Sequence, residues 1–334
     1  MEKERNKRIE IFAALGDRLA DFGHSPESAE VIGEACRRNE WFSPGDVLMA
    51  VEAIRSRMLD RDLLREWLGG YPTIAKPRDV GVIAAGNILL VGFFDILCIA
   101  ASGHNCLVRP SSKDAVLTGY VISLLKEIAP EIPIRSYEEQ PLDAIIATGS
   151  DNTVRYFKSR YKGIPSLFRG SRTSLAIIDG GEGEGELTSL GDDIFSYSSL
   201  GCRNVSQLLV PQGYDVAKLA RILSRRQAPN RKYYNNYLQR RAVLTMEGSE
   251  FIDGGFFLMR RDGSFPAAIS EITYDTYLDD KQLSERLAEN DDKIQCVVGS
   301  KPHFPRSAGF GQSQYPTLTD YPDGADVMQF LCGL

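Results

Sequence analysis

Hydrophobic positions change their period near residue 80. Before that point, Ile9, Phe12, Leu15, Leu19 and Phe22 recur three or four residues apart, the spacing of one helix face. A second helix is predicted after Ser25-Pro26. A third starts at Ser43-Pro44-Gly45-Asp46, where a hydroxyl cap precedes proline, and continues through Val47, Val51 and Ile54. Residues 1 to about 70 therefore read as helical. Beyond them, short apolar runs alternate with amphipathic stretches. Residues 80–85 read as a buried strand, followed by a turn at Gly86-Asn87 and a helix over 90–102. Residues 105–109 form a second strand and 112–128 a second helix; 144–148 and 151–161 repeat the pair. Strand–helix alternation of this kind predicts right-handed crossovers and a parallel sheet, an α/β fold. A last strand of this half is expected at 175–179, and a second unit from Gly180.

Parallel α/β sheets bind ligands at the carboxyl ends of their strands. Asn87, Arg109, Ser111, Gly149 and Ser150 all fall there. The run at 180–186, GGEGEGE, has glycine spacing reminiscent of a phosphate loop. Its three carboxylates would repel phosphate, so it reads as a solvated loop. Asn204-Val-Ser206 has the form of a glycosylation acceptor and carries no meaning without a secretory signal.

Composition narrows the classes. A chain of 334 residues can hold two domains, and a net charge of −6 argues against nucleic acid as a partner. Six scattered cysteines lack metal-type or C-x-x-C spacing. That predicts reduced thiols in a cytoplasmic protein, with no metal. The charged start and the interrupted apolar stretch at 88–101 predict neither a signal peptide nor a membrane span.

The chemistry concentrates at residues 197–211, YSSLGCRNVSQLLVP. Gly201 leaves room beside Cys202 for a flat carbonyl, and the strand that follows would hold the thiol to a sheet. A thiolate there could act as a nucleophile if its surroundings lower its pKa. Its plain alternative is a small buried hydrophobe. Cys36, Cys98, Cys106, Cys296 and Cys332 read as core.

Taken in order, these segments resemble the aldehyde dehydrogenase superfamily, and more closely its LuxC-type acyl-CoA reductase branch, from about residue 78 onward. Residues 81–87 (GVIAAGN) are similar to the strand that ends in a proline-tryptophan-asparagine turn, with Asn87 kept. Residues 106–111 (CLVRPS) resemble the lysine-proline-serine strand, with Arg109 in the lysine's place. Residues 148–150 (TGS) resemble the phenylalanine-threonine-glycine-serine turn, and 169–174 (RGSRTS) stand where a glutamate-leucine-glycine-glycine-lysine-serine motif is found. Cys202 takes the nucleophile's place. Residues 270–272 (SEI) are a weaker match to a glutamate-isoleucine-phenylalanine-glycine-proline motif, and 310–315 with 320–324 look like the reductases' closing segment. The order along the chain carries the resemblance.

The resemblance implies a Rossmann-type nucleotide-binding domain with the helical N-terminus over 1–179, a smaller α/β catalytic domain over 180–314 and a C-terminal segment over 315–334. It implies Cys202 as nucleophile and Asn87 as oxyanion donor. Arg109, Ser111, Ser112, Gly149, Ser150 and Glu271 are implied at the cofactor. Asn87 also suits a turn through its tolerance of left-handed backbone. The carboxylate that follows the lysine-proline-serine motif in NAD-preferring members is replaced by Ser112-Lys113, which favours NADPH, with NADH the alternative. Hydrolytic members activate water with a glutamate, but residues 166–178 contain no carboxylate and Phe168-Arg169 stand at its position. The implied reaction is NADPH-dependent reduction of an acyl-CoA thioester to an aldehyde, with coenzyme A released. Acyl carrier protein or acyl phosphate as donor, and a non-catalytic acyl-CoA or nucleotide-binding role, remain alternatives. A homo-oligomer or an acyl-transferring partner protein would suit either reading.

Overall fold

The computed structural model describes residues 2–265 and 267–334. The chain packs as two compact units: one runs to Ser171 and takes back Tyr315–Leu334, and the other comprises Arg172–Gln314.

The first unit opens with α1 (Glu2–Leu19), α2 (Pro26–Arg38), α3 (Pro44–Met58) and α4 (Arg61–Gly69). Ser25, Ser43 and Asp60 cap the last three through bonds to backbone N–H groups; the starts at Ser25 and Ser43 are those the serine-proline pairs predicted. The α1 stripe of Ile9, Phe12, Leu15 and Leu19 is buried. There follow β1 (Asp79–Ile83), α5 (Phe93–Ser102), β2 (Asn105–Arg109), α6 (Ala115–Ile128), β3 (Ile134–Ser136), β4 (Ala144–Thr148), α7 (Asp151–Arg160) and β5 (Ser166–Arg169). The five strands are parallel in the order β3-β2-β1-β4-β5. Their central members are continuous apolar runs because helices cover both faces.

The second unit contains β6 (Thr173–Ile177), α8 (Glu184–Phe195), β7 (Val205–Pro211), α9 (Val216–Leu223), α10 (Arg231–Met246), β8 (Ile252–Asp253), β9 (Leu258–Arg261), β10 (Glu271–Tyr277), α11 (Asp280–Glu289), β11 (Ile294–Val298) and β12 (Ser307–Ala308). Its sheet runs β12-β11-β6-β7-β10-β9-β8, parallel except for the β8–β9 pair. The closing segment then adds α12 (Val327–Cys332) to the first unit, packed on α5. There Trp67 Nε1 donates to Tyr321 Oη at 2.7 Å, Tyr71 and Tyr321 join hydroxyls, and Tyr71 donates to Asp326 at 2.8 Å.

Several sequence expectations shift. The strand expected at 175–179 begins at Thr173 and belongs to the second sheet, where β11 and β7 flank it. Helix α5 starts at Phe93 rather than Leu90, because Leu90 is left-handed (φ 51) and its N–H is held by Asp114. The glycine-glutamate run is a loop only to Gly183; Glu186 accepts from the Gly183 N–H and α8 begins. Strands β3 and β5 were not anticipated, being short and partly exposed. Cys98, Cys106 and Cys296 are buried, but Cys36 and Cys332 are half-buried and lie outside the core. Among the described residues, no helix is long and apolar enough to cross a membrane.

Candidate active site

In the first unit, strand order reverses direction between β1 and β4, the position at which open parallel sheets form a ligand crevice. The β1 loop carries Asn87, exposed in a bend. The β2 loop carries Arg109, Ser111 and Ser112, and the β4 loop carries Gly149 and Ser150. All six thus gather at the carboxyl edge of one sheet. Gly86 lies against Ser111 so closely that a Cβ on Gly86 would stand 2.0 Å from Ser111 Oγ. The Gly86 backbone packs directly against the Ser111 side chain, a closeness that only glycine permits. The left-handed conformation considered for Asn87 falls instead on Leu90.

Ser150 caps α7, accepting from the Thr153 N–H at 3.4 Å and meeting the Thr153 hydroxyl at 2.9 Å. Gly149 just before it leaves the helix N-terminus open to close approach. Arg109 is exposed and pairs at 3.5 Å with Glu139, itself more than half exposed. Such a surface pair is worth under about 1 kcal/mol, so Arg109 is easily turned to another anion. A reversed strand order, a helix N-terminus behind glycine and an exchangeable arginine fit a dinucleotide phosphate group.

Behind the loops sit two carboxylates that the sequence reading did not single out. Asp114 is buried, accepts from the Leu90 N–H at 2.9 Å and the Thr118 hydroxyl at 3.1 Å, and is pushed up to about pKa 7 by burial. Asp95, on the fully buried α5, takes both bonds from Arg169 Nη1, at 2.9 and 2.7 Å. Breaking such a buried pair costs about 3–5 kcal/mol. An aspartate inside an otherwise apolar helix pattern was the available signal for this pair.

In the second unit, Cys202 is half-buried in a turn between Gly201 and Asn204, just before β7. Its carbonyl accepts from Ser174 Oγ on the neighbouring β6 at 2.8 Å. Burial pushes the Cys98 and Cys106 thiols up, and those of Cys36 and Cys332 too, which keeps all four protonated. Glu271 opens β10, whose register with β7 places it at the same sheet end as the Cys202 turn. It is buried, with one oxygen bonded to Arg240 at 2.6 Å and the other to Arg260. Arg203, the local cation beside Cys202, donates to the Ser313 carbonyl at 3.4 Å. A shallow depression of about 480 Å³ beside β5, lined by Lys158, Tyr161 and Phe168 among others, includes none of the predicted site residues. Among the described residues no cluster of three or more His, Cys, Asp or Glu could hold a metal ion.

Solved structures with the same chain course decide the fold. An acetylating aldehyde dehydrogenase from Geobacillus thermoglucosidasius matches with a TM-score of 0.63 at 12% identity, over 95% of this chain and 85% of its own. Betaine aldehyde dehydrogenase from Staphylococcus aureus, solved with NAD+, matches with a TM-score of 0.61 at 11% identity, over 88% and 70%. The fold is that of the aldehyde dehydrogenases. An oxidoreductase from Marinobacter aquaeolei adds a TM-score of 0.64 at 10% identity, over 94% and 79%. No protein-family model and no curated relative matches the sequence. At these identities the likeness is one of fold. At the end of β5, Phe168 stacks on Phe157 with ring centroids 6.4 Å apart, and Arg169 is bonded to Asp95.

Proposed function

We propose that this chain reduces an acyl-CoA thioester to an aldehyde with NADPH, through an S-acyl group on Cys202. The observation that carries the reading is the end of β5. In the sequence resemblance, Phe168 and Arg169 stand at the position of the water-activating glutamate. One is a stacked ring and the other a guanidinium held in a buried pair. Neither accepts a proton from water. A thiol needs less help than water as nucleophile or leaving group, so acyl transfer between two sulfurs suits such a site.

The Cys202 thiolate attacks the thioester carbonyl, forming a carbon–sulfur bond. The resemblance assigns the oxyanion to the Asn87 side-chain amide and the Cys202 backbone N–H, donors typically worth about 3–4 kcal/mol each. Collapse breaks the bond to coenzyme A, which leaves as a thiolate and takes a proton from solvent. A nicotinamide nucleotide held by the Gly149-Ser150 and Arg109–Ser112 loops would supply the hydride that reduces the acyl carbon. The resulting thiohemiacetal on Cys202 breaks its carbon–sulfur bond, releasing aldehyde and restoring the thiolate. Gly149 and Ser150 receive the nucleotide's pyrophosphate at the α7 N-terminus. Arg109, Ser111, Ser112 and Lys113 take its adenosine phosphate. Glu271 is assigned near the nucleotide through its place at the Cys202 end of the sheet, with Arg240 and Arg260 fixing its two oxygens.

The test is NADPH oxidation by the purified chain across acyl-CoAs of different length, with coenzyme A thiol and aldehyde measured in parallel. Equal release of both is expected, abolished in a folded Cys202→Ala variant. Undiminished activity in that variant would overturn the scheme.

A further inference from the structure

Asn204, whose surroundings resemble a glycosylation acceptor in sequence, is 2% exposed and fully bonded inside the fold. Its Oδ1 accepts from the Gly201 N–H at 2.8 Å, and the Asn204 N–H donates back to the Gly201 carbonyl at 3.0 Å. Its Nδ2 lies within bonding distance of three carbonyls at the end of α8: Asp193 and Ile194 at 3.2 Å, and Ser196 at 2.8 Å. One side chain therefore ties the Cys202 turn to the end of a helix.

The connecting stretch explains why a tie is needed. Tyr197, Ser198 and Ser199 are all left-handed, with φ of 52, 57 and 58. Each such non-glycine residue costs roughly 1–2 kcal/mol, and three in succession do not persist without support. Support comes at both ends. Ser199 Oγ donates to the Ile194 carbonyl at 2.7 Å, and Asn230 Nδ2 donates to Ser198 Oγ at 2.6 Å. Asn204 joins the carbonyls before the stretch to the turn after it. The Asp193 carboxylate, meanwhile, holds the N–H groups of Gly311 and Ser313 at 2.6 and 2.9 Å, so the α8 end is itself anchored.

We propose that Asn204 is the positioning residue for Cys202: it fixes the thiol-bearing turn against the α8 end and holds the left-handed run in place. Ser174, completely buried and bonded to the Cys202 carbonyl, is the second clamp. This deepens the reading of Cys202 as nucleophile and rests on it. Asparagine is required because the site needs an acceptor for one N–H and a donor for carbonyls on the same planar group. Aspartate keeps the shape and the acceptor but turns a carboxylate toward three carbonyls.

The experiment compares wild type, Asn204→Asp, Asn204→Ala and Ser174→Ala for thermal unfolding, for the alkylation rate of Cys202 by iodoacetamide read by peptide mass spectrometry, and for kcat and KM. Asn204→Asp is expected to lower kcat about 100-fold, the scale of a misplacement near 1 Å, while KM for NADPH stays within about threefold. Its Cys202 alkylation rate should depart from wild type in parallel, and Ser174→Ala should do the same more mildly. If the Asn204 variants unfold, Ser174→Ala carries the test, and wild-type alkylation and kcat in it would overturn the proposal. Variants that melt earlier yet keep wild-type alkylation and kcat would also overturn it. A wild-type chain that forms no acyl adduct at Cys202 would instead sink the underlying reading.

Discussion

At the scale of single residues, the groups that matter most here are polar ones enclosed by apolar neighbours. The turn that carries Cys202, just ahead of β7, was legible because a glycine-cysteine pair before an apolar run is visible in one dimension. Asp95, Asp114 and Asn204 were not, because their significance lies in partners 74, 24 and 10 residues away. Asp114 gives a direct prediction. Burial raises its pKa from the ordinary 3.8 to about 7, so the folded chain holds this proton more tightly than the unfolded one. Its contribution is complete below pH 3.8 and is lost as pH rises to about 7. Asp114→Asn keeps an acceptor for the Leu90 N–H and cannot titrate. Between about pH 7.5 and pH 5, wild type should therefore gain about 2 kcal/mol of stability relative to the variant. Chemical denaturation at the two pH values measures this, and other titrating groups cancel because both proteins share them. Parallel pH curves would mean that Asp114 titrates as an ordinary carboxyl.

At the scale of elements, period and caps located the early helices and the central strands, since each is buried by its own apolar face. What escaped were edges and joints. Strand β5 has three half-exposed residues of four and no alternation to read, and β6 changes sheets through pairings that no local pattern encodes. The contact between the β1 and β2 loops is such a joint. A Cβ on Gly86 would meet Ser111 Oγ at 2.0 Å and Ser111 Cβ at 2.4 Å, distances that force the loops apart. On the proposed placement of NADPH, Gly86→Ala should weaken its binding at least about tenfold, since a displaced β2 loop no longer presents Ser111 and Ser112 together. Fluorescence titration of the nucleotide reads the effect without any turnover. Wild-type affinity in Gly86→Ala would place the nucleotide elsewhere on the chain.

At the scale of the whole molecule, an aldehyde dehydrogenase fold can run toward acid or toward thioester, and the choice rests on whether water is activated. Hydrolysis needs a positioned base, which general catalysis values at about 100- to 10,000-fold in rate. Here the end of β5 offers a ring and a paired guanidinium, and Glu271 has both oxygens bonded to arginines. With each of its oxygens engaged by a guanidinium, Glu271 is not aimed at a water as a base would be. Under the proposed function, the S-acyl group on Cys202 should then be long-lived when no hydride donor is present. Mixing the chain with acyl-CoA alone should add one acyl group per chain, located on Cys202 by peptide mass spectrometry. With NADPH added, free acid should appear at least about 100-fold more slowly than aldehyde. In the opposite direction, aldehyde and NADP+ should turn over only when coenzyme A is supplied to receive the acyl group. Rapid oxidation of aldehyde to acid without coenzyme A would require a base that the β5 end does not provide, and would assign the chain to hydrolytic chemistry.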